Sequence, residues 1–260
     1  MTSGVDIPAG AGAPAAHQAG TGAPPAQRRI IVAIAGPAGA GKSTVTRGVA
    51  AALGYFVLDT GALYRCVALA AERARVSLDD NEQATRVAIG LAKRRAIEFI
   101  TDAERGQRVL LDAEDVTLAI RTQAMSEGAS RVSALPGVRE ALLELQRGIG
   151  SNGGVVVEGR DIGSVVFPHA QAKFFLTATA EERARRRHAE LIERGTSADY
   201  DVILREVQER DARDMNRAVA PLVQAPDARA VDSSSMSIDE VVAAIVAQVK
   251  AIAETSAAMV

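Results

Sequence analysis

Cysteine and histidine are scarce in this chain of 260 residues, which carries one of the first and three of the second. The single Cys66 excludes an internal disulfide framework and Cys-based metal clusters, and it reads as a small buried hydrophobe in a reducing, cytoplasmic setting. His17 lies in the N-terminal segment, and His169 and His188 have no evident partner, so surface or packing roles suit them and no histidine base is offered. No apolar run approaches the length needed to cross a bilayer. A net charge of −2 argues against a general nucleic-acid or membrane surface, so neither is expected as a partner. Lysine is sparse too. Lys42, Lys93, Lys173 and Lys250 stand alone against many arginines, which concentrate between Arg183 and Arg217. Arginine suits planar, bidentate phosphate contacts, although a compositional bias of the genome gives the same imbalance.

Residues 1–28 are Ala, Gly and Pro without periodicity and predict a disordered tail that builds no core. They contain neither a signal-type apolar stretch nor the Arg-rich amphipathic pattern of a transit peptide. The remaining chain, 29–254, reads as a single domain in which strands and helices alternate, which implies a five-stranded, doubly wound parallel sheet. The strands are "RRIIVAIAG", "YFVL", "VVVE", "AKFFLTA" and "ARAVD". Between about 93 and 117 the pattern changes. "RRAIEFI" and "QRVLLDAEDVT", parted by "TDAERG", predict two short antiparallel strands inserted between helices. Pro136 should start one helix, Thr179 with Glu182 should cap another that closes at Gly195, and Ser237 with Glu240 should cap the last.

The strongest motif is Gly36-Pro37-Ala38-Gly39-Ala40-Gly41-Lys42-Ser43, followed by Thr44, between the first strand and a helix. Glycines let backbone N–H groups curl around phosphate oxygens at a helix N-terminus, Lys42 would neutralise β- and γ-phosphates, and Ser43 would ligate Mg²⁺. A chance match is expected in roughly a few chains per thousand of this composition. The motif states only that a nucleoside triphosphate binds. No N-K-x-D or H-R-D sequence is present to indicate a GTPase switch or a protein kinase. The missing histidine base then becomes informative. A hydroxyl acceptor needs a group to take its proton. A phosphate monoester, with a second pKa of about 6, needs none. The sequence leans towards a phosphate acceptor.

Such an acceptor needs its own cations. Arg65 follows the second strand and Arg160 ends the third, at the carboxyl edge where ligands sit in open α/β sheets. Arg210, Asp214 and Arg217 fall at i, i+4 and i+7, on one helical face. A salt-bridge ladder on a solvated helix explains the same spacing. Arg183, Arg186 and Arg187 carry the same ambiguity. Their density should be unfavourable without nearby anions, and the sharper reading is a lid, 183–201, over the triphosphate.

"GPAGAGKST", "LDTGALYR", "EDVTLAIRTQAMSEGAS", "VREALLELQR", "EGRDIGSVVFP" and "ERDARDMNRAVAPL" resemble the bacterial cytidylate kinase family from about Ile30 to the final helix. The resemblance implies ATP-dependent phosphorylation of CMP and dCMP with Mg²⁺, by a monomer. It implies that Arg65, Arg160 and Arg217 grip the acceptor phosphate, and that Asp161, Ser130 and Arg139 read the base. Asp214 and Arg210 would address the ribose, with Thr60 also on the substrate. Lys42, Arg160, Arg217 and Arg187 would be catalytic, and Arg183 and Arg186 would meet the donor. It further implies that the insert enlarges a monophosphate-binding region, 60–139. Glu158 stands where the family more often has Asp, at a position able to orient Mg²⁺-bound water. Other small-acceptor kinases (UMP, AMP or shikimate) and a nucleotide switch protein are the rival readings.

Overall fold

The structure is a computed structural model that describes residues 29–102 and 106–258. The tail 1–28 and part of the expected turn after Asp102 lie outside the described residues. Five strands form the main sheet: β1 (Ile31–Ala35), β2 (Phe56–Asp59), β6 (Val155–Gly159), β7 (Ala172–Thr177) and β8 (Arg229–Asp232). Their order is β2-β6-β1-β7-β8, and every neighbouring pair is parallel. The valine run of β6 has the composition of a strand covered on both faces, and all five of its residues are buried.

Alternation along β1 divides the core. Val32 and Ile34 face α1 (Lys42–Leu53) and α8 (Ile238–Ala258), joined by Val156 and Phe174. Ala33 faces the other way, with Val155, Val157 and Phe167. A separate apolar cluster binds together α2 (Thr60–Arg73), α3 (Asn81–Lys93), α4 (Gln123–Val132) and α5 (Pro136–Gly150). Cys66 is fully buried there, and burial pushes its thiol up to about 12, so it serves as packing. The remaining helices, α6 (Ala180–Glu193) and α7 (Tyr200–Asn216), pack along each other. No helix among the described residues is long and apolar enough to cross a membrane.

The start signals hold at atomic detail. Pro136 opens α5, Thr179 accepts from the Glu182 amide, and Ser237 and Glu240 bond reciprocally. The insert differs from expectation. It has three strands, β3 (Ile97–Asp102), β4 (Gly106–Leu111) and β5 (Glu114–Asp115), because "QRVLLDAEDVT" folds back on itself. Asp112 and Ala113 both take positive φ, 49° and 65°, in a two-residue hairpin turn. Asp112 is clamped there by Arg94 through two 2.8 Å bonds. The insert is tied to the exposed edge of the main sheet by Gln107, which donates to the Val57 carbonyl at 2.5 Å, and by an edge-on Phe56–Phe99 contact.

Candidate active site

The carboxyl ends of three adjacent strands, β2, β6 and β1, open into one cleft of about 200 Å³. β1 is the point where the chain's crossovers change direction, the place where open α/β sheets bind ligands. Its loop, 36–41, leads directly into α1. Gly36 is required at the loop's first position, since φ is 150° and an added Cβ would lie 2.0 Å from the Leu176 carbonyl oxygen. Lys42 is buried, with its ammonium donating to the Pro37 carbonyl at 2.6 Å. Burial first, and then the Arg160 guanidinium, hold the Lys42 pKa well below its ordinary value. Ser43 donates to Glu158 Oε2 at 2.9 Å. Glu158 is in register with Asp59 on the neighbouring strand. Burial and that adjacent carboxylate push Glu158 up to about 7. Thr44 is exposed and outside the cleft, accepting from Arg47 at 3.4 Å.

Opposite the loop stands a wall of arginines, each beside a carboxylate. Arg65 pairs with Asp59 at 3.2 Å, Arg160 with Asp214 at 2.8 Å, and Arg139 with Asp161. Arg217 approaches Asp161 at 3.6 Å and donates to the Ala220 carbonyl. Burial favours a neutral Asp214 carboxyl, but Arg160 overrides it and holds the pKa low. Burial and Arg160 bring Arg210 down to about 10, and burial with Arg139 lowers Arg217. Arg210 Nε and Arg217 Nη2 are buried without a hydrogen-bond partner among the described residues. Cations crowded in one cleft, with buried donors unspent, make a receptor for anions.

Three expectations about arginines need correction. Arg217 does not share a helical face with Arg210 and Asp214, because α7 ends at Asn216 and Arg217 takes an extended conformation. It enters the cleft from that turn. The solvated-ladder reading also fails for Asp214, which is buried and paired with Arg160 from β6's end rather than along its own helix. The density of Arg183, Arg186 and Arg187 is met by the protein's own acidic groups: Asp211, Glu182 and Glu190 respectively. Arg186 also donates to the Ser233 carbonyl at 2.6 Å, and Arg187 lines the outer cleft. Arg183 is buried beneath the loop, with its donors on Asp211, Ala38 and Ala178.

The inner cleft thus gathers Lys42, Ser43, Arg65, Ser130, Arg139, Arg160, Asp161, Arg210, Asp214 and Arg217. Thr60 reaches it too, but its hydroxyl donates to the Glu158 carbonyl at 2.7 Å. Sequence reasoning missed Tyr64 and Asp59. Tyr64 is buried against the cleft, with the Arg139 guanidinium 5.8 Å from its ring centre, and it sits one position from Arg65 in "DTGALYR". Asp59 caps α2 by accepting from the Ala62 amide, and a strand ending in Asp just before a helix was the available signal.

A family model described as cytidylate kinase matches residues 32–251. Among curated proteins, the cytidylate kinase of Pelotomaculum thermopropionicum is 52% identical over 220 residues, covering 85% of this chain and 96% of the relative. Those of Shewanella piezotolerans and Syntrophotalea carbinolica are 48% and 50% identical, covering 84% and 82% of this chain and 93% and 89% of the relatives.

Proposed function

The chain belongs to the cytidylate kinase family, and from that premise we propose that it transfers the γ-phosphoryl group of ATP directly to CMP and dCMP, giving ADP with CDP or dCDP. The observation that carries this reading is one cleft with two kinds of cation facing each other. On one side is a phosphate loop with Lys42. On the other is a wall of arginines ending in a buried carboxylate, Asp161.

Arg65, Arg160 and Arg217 hold the acceptor phosphate, and Arg210 and Asp214 face its ribose. Asp161, set by Arg139, accepts from the exocyclic amino group of cytosine. Ser130 and Arg139 donate to the ring. Uracil presents an acceptor where cytosine presents that donor, so Asp161 rejects it. The acceptor phosphate is a dianion at neutral pH and reacts without a base, in line with a cleft that no histidine lines among the described residues. Lys42 and the loop amides stabilise the charge of the transferring group, joined by Arg187 when the lid, 183–201, closes.

The residues present fit Mg²⁺. Ser43 and Glu158 offer hard oxygen donors 2.9 Å apart beside the loop, and no group of three or more His, Cys, Asp or Glu among the described residues cages a metal unaided. That set suits an ion that keeps waters and substrate oxygens in its shell. Ser43 would ligate the ion and Glu158 would orient its waters. When bound, it neutralises charge at the β- and γ-phosphoryl oxygens. Residues 29–254 act as one kinase domain, monomeric and cytoplasmic, in pyrimidine nucleotide metabolism.

The test is an acceptor screen: ATP·Mg²⁺ with each nucleoside monophosphate, followed by ADP release. CMP and dCMP should turn over fastest by a wide margin. A preference for UMP or AMP would overturn the specificity, and binding without turnover of any acceptor would favour a switch protein.

A further inference from the structure

One largely buried ion pair joins the two walls of the inner cleft while lining neither, although its arginine also borders the outer cleft. Arg183 closes its fork on Asp211 of α7, with Nη1–Oδ1 at 3.0 Å and Nη2–Oδ2 at 2.5 Å. Nη1 also donates to the Ala38 carbonyl at 3.1 Å, and Nε to the Ala178 carbonyl at 2.9 Å. The phosphate loop, the end of β7 and α7 therefore meet at a single guanidinium. The loop lies directly on its stem, since a Cβ added to Gly39 would sit 3.3 Å from the Arg183 Cβ. Asp211 adjoins Arg210 and precedes Asp214 by three residues. Those two are the side chains through which α7 faces the acceptor wall.

We propose that Arg183 and Asp211 form a positioning strut that transmits acceptor binding on α7 to the phosphate loop, so that CMP and ATP bind with positive coupling. The inference rests on assigning CMP and ATP to the two walls as above. A bidentate guanidinium–carboxylate pair fixes both the distance and the orientation of its partners. Side chains of Arg183 and Asp211 are 5% and 14% exposed, so water does not readily replace either one. When α7 adjusts to an acceptor, Asp211 moves with the helix. Arg183 must follow, and the Ala38 carbonyl with the loop around it must follow Arg183 or lose its bond. The loop conformation favoured with acceptor present then differs in affinity for the donor, which is what coupling between two sites requires.

Isothermal titration of CMP, with and without a saturating non-hydrolysable ATP analogue and Mg²⁺, measures the coupling as a ratio of dissociation constants. The wild-type ratio should be about fivefold or more. In Asp211→Asn, which keeps the shape and removes the charge, the ratio should fall to about one, while each nucleotide alone binds within about threefold of wild type. Asp211→Ser, which cannot hold the guanidinium fork, should lose coupling in the same way and provides the test should the Asn variant not fold. An unaltered ratio in a folded variant overturns the proposal, as does a wild type without coupling or a variant that loses single-ligand affinity but retains the ratio. Failure of wild type to bind CMP by itself would instead overturn the functional reading, and the single-ligand titration shows that separately.

Discussion

The two walls of the cleft hold buried charge in opposite ways. On the acceptor wall, Arg65, Arg139 and Arg160 each have a carboxylate partner. On the donor side, Lys42 has only the Pro37 carbonyl, and Glu158 shares its corner with a second carboxylate and the Ser43 hydroxyl. Consequently Asp214 is held as a carboxylate, whereas Lys42 and Glu158 are both pushed towards neutrality. A buried charge is tolerable when paired and costly when alone. The acceptor wall is therefore oriented by its own ion pairs before a nucleotide arrives. The donor side is shaped by backbone, and under the proposed function phosphate and metal would supply the partners its charges lack. Mutations should break catalysis on one side and selectivity on the other.

The largest effect belongs to Lys42→Ala. Turnover with CMP should fall by about 10³-fold or more, because the ammonium offsets charge that grows during transfer. The melting temperature should hardly drop, since the ammonium is buried with no carboxylate bonded to it. Steady-state rates and thermal melts on one preparation decide this, and near-normal turnover would sink the donor assignment.

Next comes Glu158→Gln, where loss of function and gain of stability should coincide. Glu158 titrates at about 7 in the folded protein against 4.5 for the free group. A raised carboxyl pKa costs nothing below the unfolded value. The cost grows as pH rises from about 4.5 to 7 and is complete above the folded value. The nucleotide-free Gln variant, which cannot ionise, should thus gain on wild type across that window, by on the order of 3 kcal/mol above pH 7. Denaturant melts at pH 4.5, 6 and 8 measure it. A stability difference independent of pH would mean that Glu158 is not the group under stress.

On the acceptor wall, Asp161→Asn should cost about ten- to a hundredfold in the preference for CMP over UMP, chiefly by worsening CMP. ATP binding should stay near wild type. Arg160→Lys should instead impair all acceptors alike if Arg160 serves the phosphate as proposed. If Asp161→Asn keeps the wild-type ratio, Asp161 does not read the base.

This division was only half legible in the sequence. The loop from Gly36 to Ser43 could be read outright, because its chemistry is local and consecutive. The doubly wound parallel sheet was equally accessible, since buried valine runs alternate with capped helices, although the strand order β2-β6-β1-β7-β8 came only from the structure. The partners of the arginines were not. Asp214 sits four residues from Arg210, and spacing alone favours a ladder along the helix, yet its partner is Arg160, 54 positions away. Asp59 and Glu158 became neighbours only through strand register. Of the three α6 arginines, Arg186 and Arg187 have partners on their own helix, Glu182 and Glu190, at spacings the sequence displayed, whereas Asp211, which answers Arg183, lies on the next helix. Pairings set by tertiary packing leave no periodic trace, so α7's charges could be located but not assigned.

The smallest predicted effect lies farthest from the chemistry. Asp161 begins a π-helical turn, Ile162–Val166, whose Val165 and Val166 amides return to the Asp161 carbonyl at 2.9 and 3.2 Å. The far end of that turn is held by Arg147, which donates to the Val166 and Val165 carbonyls at 3.0 and 3.1 Å. Arg147 lies two turns beyond Arg139 on α5, so one helix fixes the Asp161 carboxylate at one point and the far end of the turn that follows it at another. The Arg147 side chain is 43% exposed, and water can take over part of its role. Arg147→Met should therefore remove about 1 kcal/mol of support, which is roughly a fivefold rise in the KM for CMP. The CMP to UMP preference should shrink slightly, and the KM for ATP should not move. That last value is the discriminating one. An equal rise for ATP would mean that the acceptor wall cannot be loosened without loosening the donor loop, and the two walls would then be one device rather than two.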